Sequence, residues 1–98
     1  MFRRDRTTSA IIGSMSLSHN SITLSDTTQT LIYGDAKSIT ITNIHASAIV
    51  YLGTSYVTSS SYGVKLTPGQ NVSINNLGGD LYGISSINGS IVSILVSR

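Results

Sequence analysis

Between Ser38 and Val64 the chain runs for 27 residues without a Lys, Arg, Asp or Glu, yet its apolar residues never gather into one long block. The first part, Ile39-Thr40-Ile41-Thr42-Asn43, alternates apolar and polar side chains with a period of two. That period places one face of a strand in a core and the other outside it. Ala48-Ile49-Val50-Tyr51-Leu52-Gly53 follows as a nearly continuous apolar run, the pattern of a strand covered on both faces. Two such segments in succession predict the centre of a small β-sandwich. Its outer surface would carry Thr, Ser, Asn and Tyr, which hydrogen-bond adaptably and cost less to desolvate than Lys or Glu. Such a surface suits permanent contact with other subunits.

The rest of the composition points the same way. Only 10% of the 98 residues are charged, against about 25% in an ordinary globular domain. Glu, Cys and Trp are absent, while Ser, Thr and Ile abound. This bias favours strands and turns, because Glu, Lys, Arg, Leu and Ala are the residues that fill helix surfaces. A chain of this length predicts one domain burying roughly two-thirds of its unfolded surface, with little stability in reserve. Without cysteine, neither disulfides nor thiolate metal sites support the fold, and redox chemistry says nothing about compartment. No stretch reaches the ~18–20 apolar residues of a membrane helix. The basic start Met1-Phe2-Arg3-Arg4-Asp5-Arg6 is followed only by Ala10-Ile11-Ile12 before Gly13, too short for the apolar region of an export signal.

Read in order, the chain predicts an N-terminal basic arm over residues 1–9 and a β-domain over residues 10–98. Strand candidates fall at residues 10–17, 21–24 and 28–33. Gly34-Asp35-Ala36 is expected to turn the chain into a strand at 37–43, and a link at 44–47 leads to the strand at 48–53. Residues 54–62, rich in Ser, Thr and Tyr, predict an exposed loop. Thr67-Pro68-Gly69-Gln70 has the Pro and Gly placement of a type II turn after a short strand at 64–66. Strands at 71–74 and 81–85 are expected on either side of a loop at 75–80. Asn88-Gly89 predicts a two-residue type I′ hairpin leading to the last strand. There Val92, Ile94 and Val96 form one apolar face, and Ile91, Ser93 and Leu95 form another that is nearly so. Such a strand is either central or covered by a neighbouring subunit. The total is about seven to nine strands, an all-β sandwich or jelly roll with an extended N-terminal arm, no convincing helix and no fixed-period repeat.

The residue types of catalysis are present but scattered. His45 lies in a link between strands and His19 in an apparent turn beside Asn20. Asp26, Asp35 and Asp80 fall where Asp is favoured for bonding its local backbone, which outweighs a ligand role. A metal would need about three or four converging ligands with supporting partners, so no metal and no cofactor is expected. There is no Gly-x-Ser-x-Gly elbow, no pair of Glu residues for glycosidase chemistry, and no Lys-Ser/Thr after Gly78-Gly79 for a phosphate loop. A small hydrolase is the weakest reading. Asn-x-Ser sequons at Asn71 and Asn88 are expected by chance in a chain so rich in Ser.

Two groups of residues suit recognition instead. Arg3, Arg4 and Arg6, with Phe2, crowd into the first six positions. They read either as a solvated tail or as an anchor for an acidic surface. With no basic face on the body, sequence-specific nucleic-acid binding is not expected. Tyr56 and Tyr62 flank the 54–62 loop, where exposed aromatics stack on sugars or anchor protein contacts. Tyr33, Tyr51 and Tyr82 lie in strands and read as core or sheet-surface residues.

From Ser38 onward the succession of motifs is more specific. Ile39-Thr40-Ile41-Thr42-Asn43, Val50-Tyr51-Leu52-Gly53, Val57-Thr58, Leu66-Thr67-Pro68-Gly69, Leu81-Tyr82-Gly83-Ile84 and Val92-Ser93-Ile94-Leu95-Val96 occur in an order that resembles small β-sandwich virion proteins of tailed bacteriophages. The resemblance covers about the last 60 residues. It implies a non-enzymatic structural protein, above all a capsid decoration (cement) protein on the head surface. It also implies major capsid protein or other virion subunits as partners, and a homotrimer. The alternative is a glycan- or receptor-binding module of a tail appendage using the Tyr56–Tyr62 loop.

Overall fold

The computed structural model describes residues 17–97. They form six strands and, among the described residues, no helix: β1 (Leu17–Leu24), β2 (Thr30–Asn43), β3 (Val50–Gly53), β4 (Val64–Leu66), β5 (Asn71–Ser85) and β6 (Ser90–Ser97). All pair antiparallel in one ladder ordered β1-β6-β2-β5-β3-β4. The all-β expectation holds, and the strand count falls to six for a definite reason. The predicted turn at 34–36 and the predicted loop at 75–80 lie opposite each other. Gly34 pairs with Asp80 and Ala36 with Leu77, so the ladder runs through both segments with register shifts instead of breaking. The 28–33 and 37–43 candidates thus become one strand, as do 71–74 and 81–85. Of the candidate at 10–17 only Leu17 is described, and it belongs to β1, as does His19, which is therefore in a strand and not in a turn. The 1–9 arm lies outside the described residues.

The long pair β2–β5 is folded over. Gly83, near the end of β5, pairs with Thr30 at the start of β2, while Val92, near the start of β6, pairs with Asn43 at its end. Only residues 86–89 join β5 to β6, a reach of about 18 Å, whereas a straight 14-residue strand would span about 46 Å. Both ends of β2 must therefore lie at the same end of the molecule. At that end, backbone bonds from Ser85 N–H to the Ser25 carbonyl (3.0 Å) and from Gly89 N–H to the Leu24 carbonyl (2.9 Å) tie the end of β5 and the turn into β6 to the end of β1. The fold-over occurs at Asp35 (φ 52°) and Asn76 (φ 58°), the two described non-glycine residues with positive φ. One layer contains β1, β6 and the ends of β2 and β5 at 38–43 and 71–75. The other contains 30–33, 81–85, β3 and β4.

The alternation seen in the sequence fills the space between the layers. Ile39, Ile41, Val92 and Val96 are buried from one layer, Ile32, Val50, Leu52 and Leu66 from the other. Gly83 lies at a close approach between the layers: a Cβ there would stand 2.7 Å from Ile32 Cδ1 and 3.3 Å from Leu52 Cδ2, so the ends of these side chains would have to move aside. In β3 the apolar run is not covered on both faces as expected. Val50 and Leu52 are buried, but Tyr51 and Gly53 are half-exposed, because among the described residues no third layer covers the outside.

The Thr67-Pro68-Gly69-Gln70 turn is as predicted, with Gly69 at φ 81° and Gln70 N–H on the Thr67 carbonyl at 3.0 Å. The Asn88-Gly89 turn is not. Only Gly89 has positive φ (84°), which fits type II rather than type I′. The strands it joins are not paired, because β2 lies between them.

Candidate functional site

Most of the residues that suggested chemistry serve the fold. His45 Nδ1 accepts amide hydrogens from Ser47 (3.1 Å) and Ala48 (3.0 Å), closing the link between β2 and β3. His45 thus orients the loop that its position in the link places it in. The key partner in that link is Asn43, which composition and motif reading passed over. Fully buried, it donates through Nδ2 to the carbonyls of Ala48 (2.8 Å) and Leu66 (3.0 Å), and its Oδ1 accepts His45 N–H at 3.1 Å. Its backbone exchanges bonds with Gln70 and Gly69, each at 2.9 Å. One side chain thereby ties β2, the 44–48 link, the end of β4 and the following turn together. The signal was parity, since Asn43 continues the inward series Ile39, Ile41.

Asp35 and Asp80 lie in β2 and β5 at the fold-over, and Asp26 in the exposed turn after β1. Among the described residues, no three His, Cys, Asp or Glu converge as metal ligands.

Two surfaces remain. The first is the outer face of the layer containing β1 and β6. Because directly paired residues share a face, the register defines its rows. Ser21, Ser93, Thr42 and Asn71 form one row, and His19, Leu95, Thr40 and Ser73 the next. Thr40 and Ser73 hydroxyls meet across the strands at 2.9 Å. Among the described residues no Lys, Arg, Asp or Glu occupies this face, while Ile91 (41%) and Leu95 (47%) are exposed on it. The last strand is thus interior in the ladder, with one face in the core and the other open. Among the described residues β1 forms an edge of eight residues without Lys or Pro. The opposite edge, β4, is three residues long and carries Lys65, a guarded edge.

The second surface is the 54–62 loop, which is exposed as expected but not loose. Val57 N–H bonds the Thr54 carbonyl (3.0 Å), Thr58 and Ser61 exchange backbone bonds, and Thr58 Oγ1 accepts from Ser60 and Ser61. Val57 is buried as an anchor, and Gln29 Nε2 donates to its carbonyl at 2.9 Å. Tyr56 stands 83% exposed, and the Tyr62 ring lies 5.0 Å from the Tyr51 ring at 49°. Tyr56 and Tyr62 line one cleft of about 230 Å³ with Gly53, Thr54, Ser61 and Gly63. Phe2, Arg3, Arg4 and Arg6 lie outside the described residues. No protein-family model, curated protein or solved structure matches this chain.

Proposed function

We propose that the protein is a non-enzymatic structural component of a tailed-phage virion, a decoration subunit that assembles as a homotrimer on the head shell and stabilises it. The observation that carries this reading is the uncharged outer face of the β1-β6 layer, with Ile91 and Leu95 exposed on it. A surface without formal charges can be buried permanently against another subunit without desolvating an ion. The unguarded β1 edge beside it adds unpaired backbone groups for strand contact. The order of motifs from Ser38 onward supports the virion setting, and the trimer follows from that resemblance.

The test is an arginine on the face. Light scattering on the parent protein should give a mass above 10.3 kDa, and Leu95→Arg should return it to the monomer with an unchanged circular dichroism spectrum. A parent that stays monomeric at high concentration and shows no occupancy on particles by electron microscopy would overturn the proposal.

A further inference from the structure

Exposed tyrosines on a small domain are common, but the 54–62 loop spends hydrogen bonds on holding one in place. Thr54 fixes the backbone on both sides of Tyr56, accepting Tyr56 N–H through its hydroxyl (3.3 Å) and Val57 N–H through its carbonyl (3.0 Å). Val57 then plugs the loop into the body. Tyr62 is steadied from the other side by the Tyr51 ring, which itself sits in β3. The backbone of the cleft and the Tyr62 ring are therefore positioned before any ligand arrives, which lowers the ordering cost of binding.

The chemistry of the cleft selects a class of ligand. Its side chains are two phenols, the hydroxyls of Thr54 and Ser61, and the buried apolar Val57, with backbone exposed at Gly53 and Gly63. No Lys, Arg, His, Asp or Glu is among its lining residues, so nothing in that lining selects a phosphate, a carboxylate or an amine. Tyrosine faces offer an apolar platform for C–H groups, and the hydroxyls offer donors and acceptors at its rim. We infer that the Tyr56–Tyr62 cleft is a binding site for a neutral hexose unit, stacked on tyrosine and hydrogen-bonded at its edge. This inference is independent of the subunit-contact reading, because loop and face lie on different layers of the sandwich.

Saturation-transfer NMR on the full chain with a panel of neutral oligosaccharides built from glucose, galactose, mannose and N-acetylglucosamine tests it directly. Tyrosine fluorescence, free of Trp background in this chain, gives affinities. At least one sugar should receive saturation and bind with an affinity that changes less than twofold between 50 and 500 mM NaCl. Tyr56→Ala and Tyr62→Ala should each weaken it at least tenfold, whereas Tyr82→Phe should leave it unchanged. Tyr56 is exposed, so its variant keeps the fold, and amide shift dispersion verifies that. No transfer to any sugar in the panel, or binding undiminished in Tyr56→Ala, would overturn the inference while leaving the Leu95→Arg result untouched.

Discussion

Asn43 shows how much a single inward-facing amide can decide. Replacing it with Ala leaves the Ala48 and Leu66 carbonyls and the His45 amide without their partner. Each buried polar group left unsatisfied costs about 1–3 kcal/mol. Urea denaturation of Asn43→Ala should show a loss of about 2–4 kcal/mol with an unchanged slope. Asn43→Asp should be worse, since it removes both donors and adds a buried carboxylate. A loss below 0.5 kcal/mol, which is about the net worth of one ordinary hydrogen bond, would show that these contacts are solvent-replaceable. His45 belongs to the same cluster, and its Nδ1 closes the turn between the strands.

Among the strands, the decisive pair is β2 with β5, and the decisive points on it are Asp35 and Asn76. Left-handed backbone at a non-glycine residue is tolerated best by Asn and Asp. Both sit where the pair folds from one layer to the other. Asn76→Ile should destabilise the domain by about 1–2 kcal/mol, because a β-branched side chain opposes that conformation. Asn76→Gly should stay within about 1 kcal/mol of the parent. Thermal unfolding of the two variants checks the contrast; equal midpoints would mean that the fold-over does not depend on this residue. The same pair explains the missed strand boundaries. Gly34-Asp35-Ala36 and Asn75-Asn76-Leu77-Gly78-Gly79-Asp80 each carry turn residues, and read singly each breaks a strand. Facing each other, they supply one another's hydrogen bonds as bulges.

Across the full chain, charge is segregated. Lys37, Lys65 and Arg98 balance Asp26, Asp35 and Asp80, so the net charge of +2 comes entirely from Arg3, Arg4 and Arg6 against Asp5. We propose that the basic segment at residues 1–8 attaches the protein to an acidic partner surface, with Phe2 taken into an apolar notch of that partner. Guanidinium groups pair with carboxylates bidentately, and exposed pairs weaken with salt. Deleting residues 1–8 should leave the circular dichroism spectrum unchanged and reduce occupancy on particles, and 0.5 M NaCl should reduce it for the full chain. Full occupancy after the deletion would assign attachment to the sandwich alone.

The sequence by itself determined the strand character of the chain, the turn at Pro68-Gly69, the inward pair Ile39 and Ile41, and the exposure of Tyr56 and Tyr62. These depend on local periodicity and on residues with intrinsic backbone preferences. Only the tertiary structure decided that β2 and β5 are continuous, that β2 separates β5 from β6, and that Asn43 is the buried tie. It also decided which face of β6 is left open. Each of these depends on what lies across the ladder or in the opposite layer, and no window along one strand contains its partner.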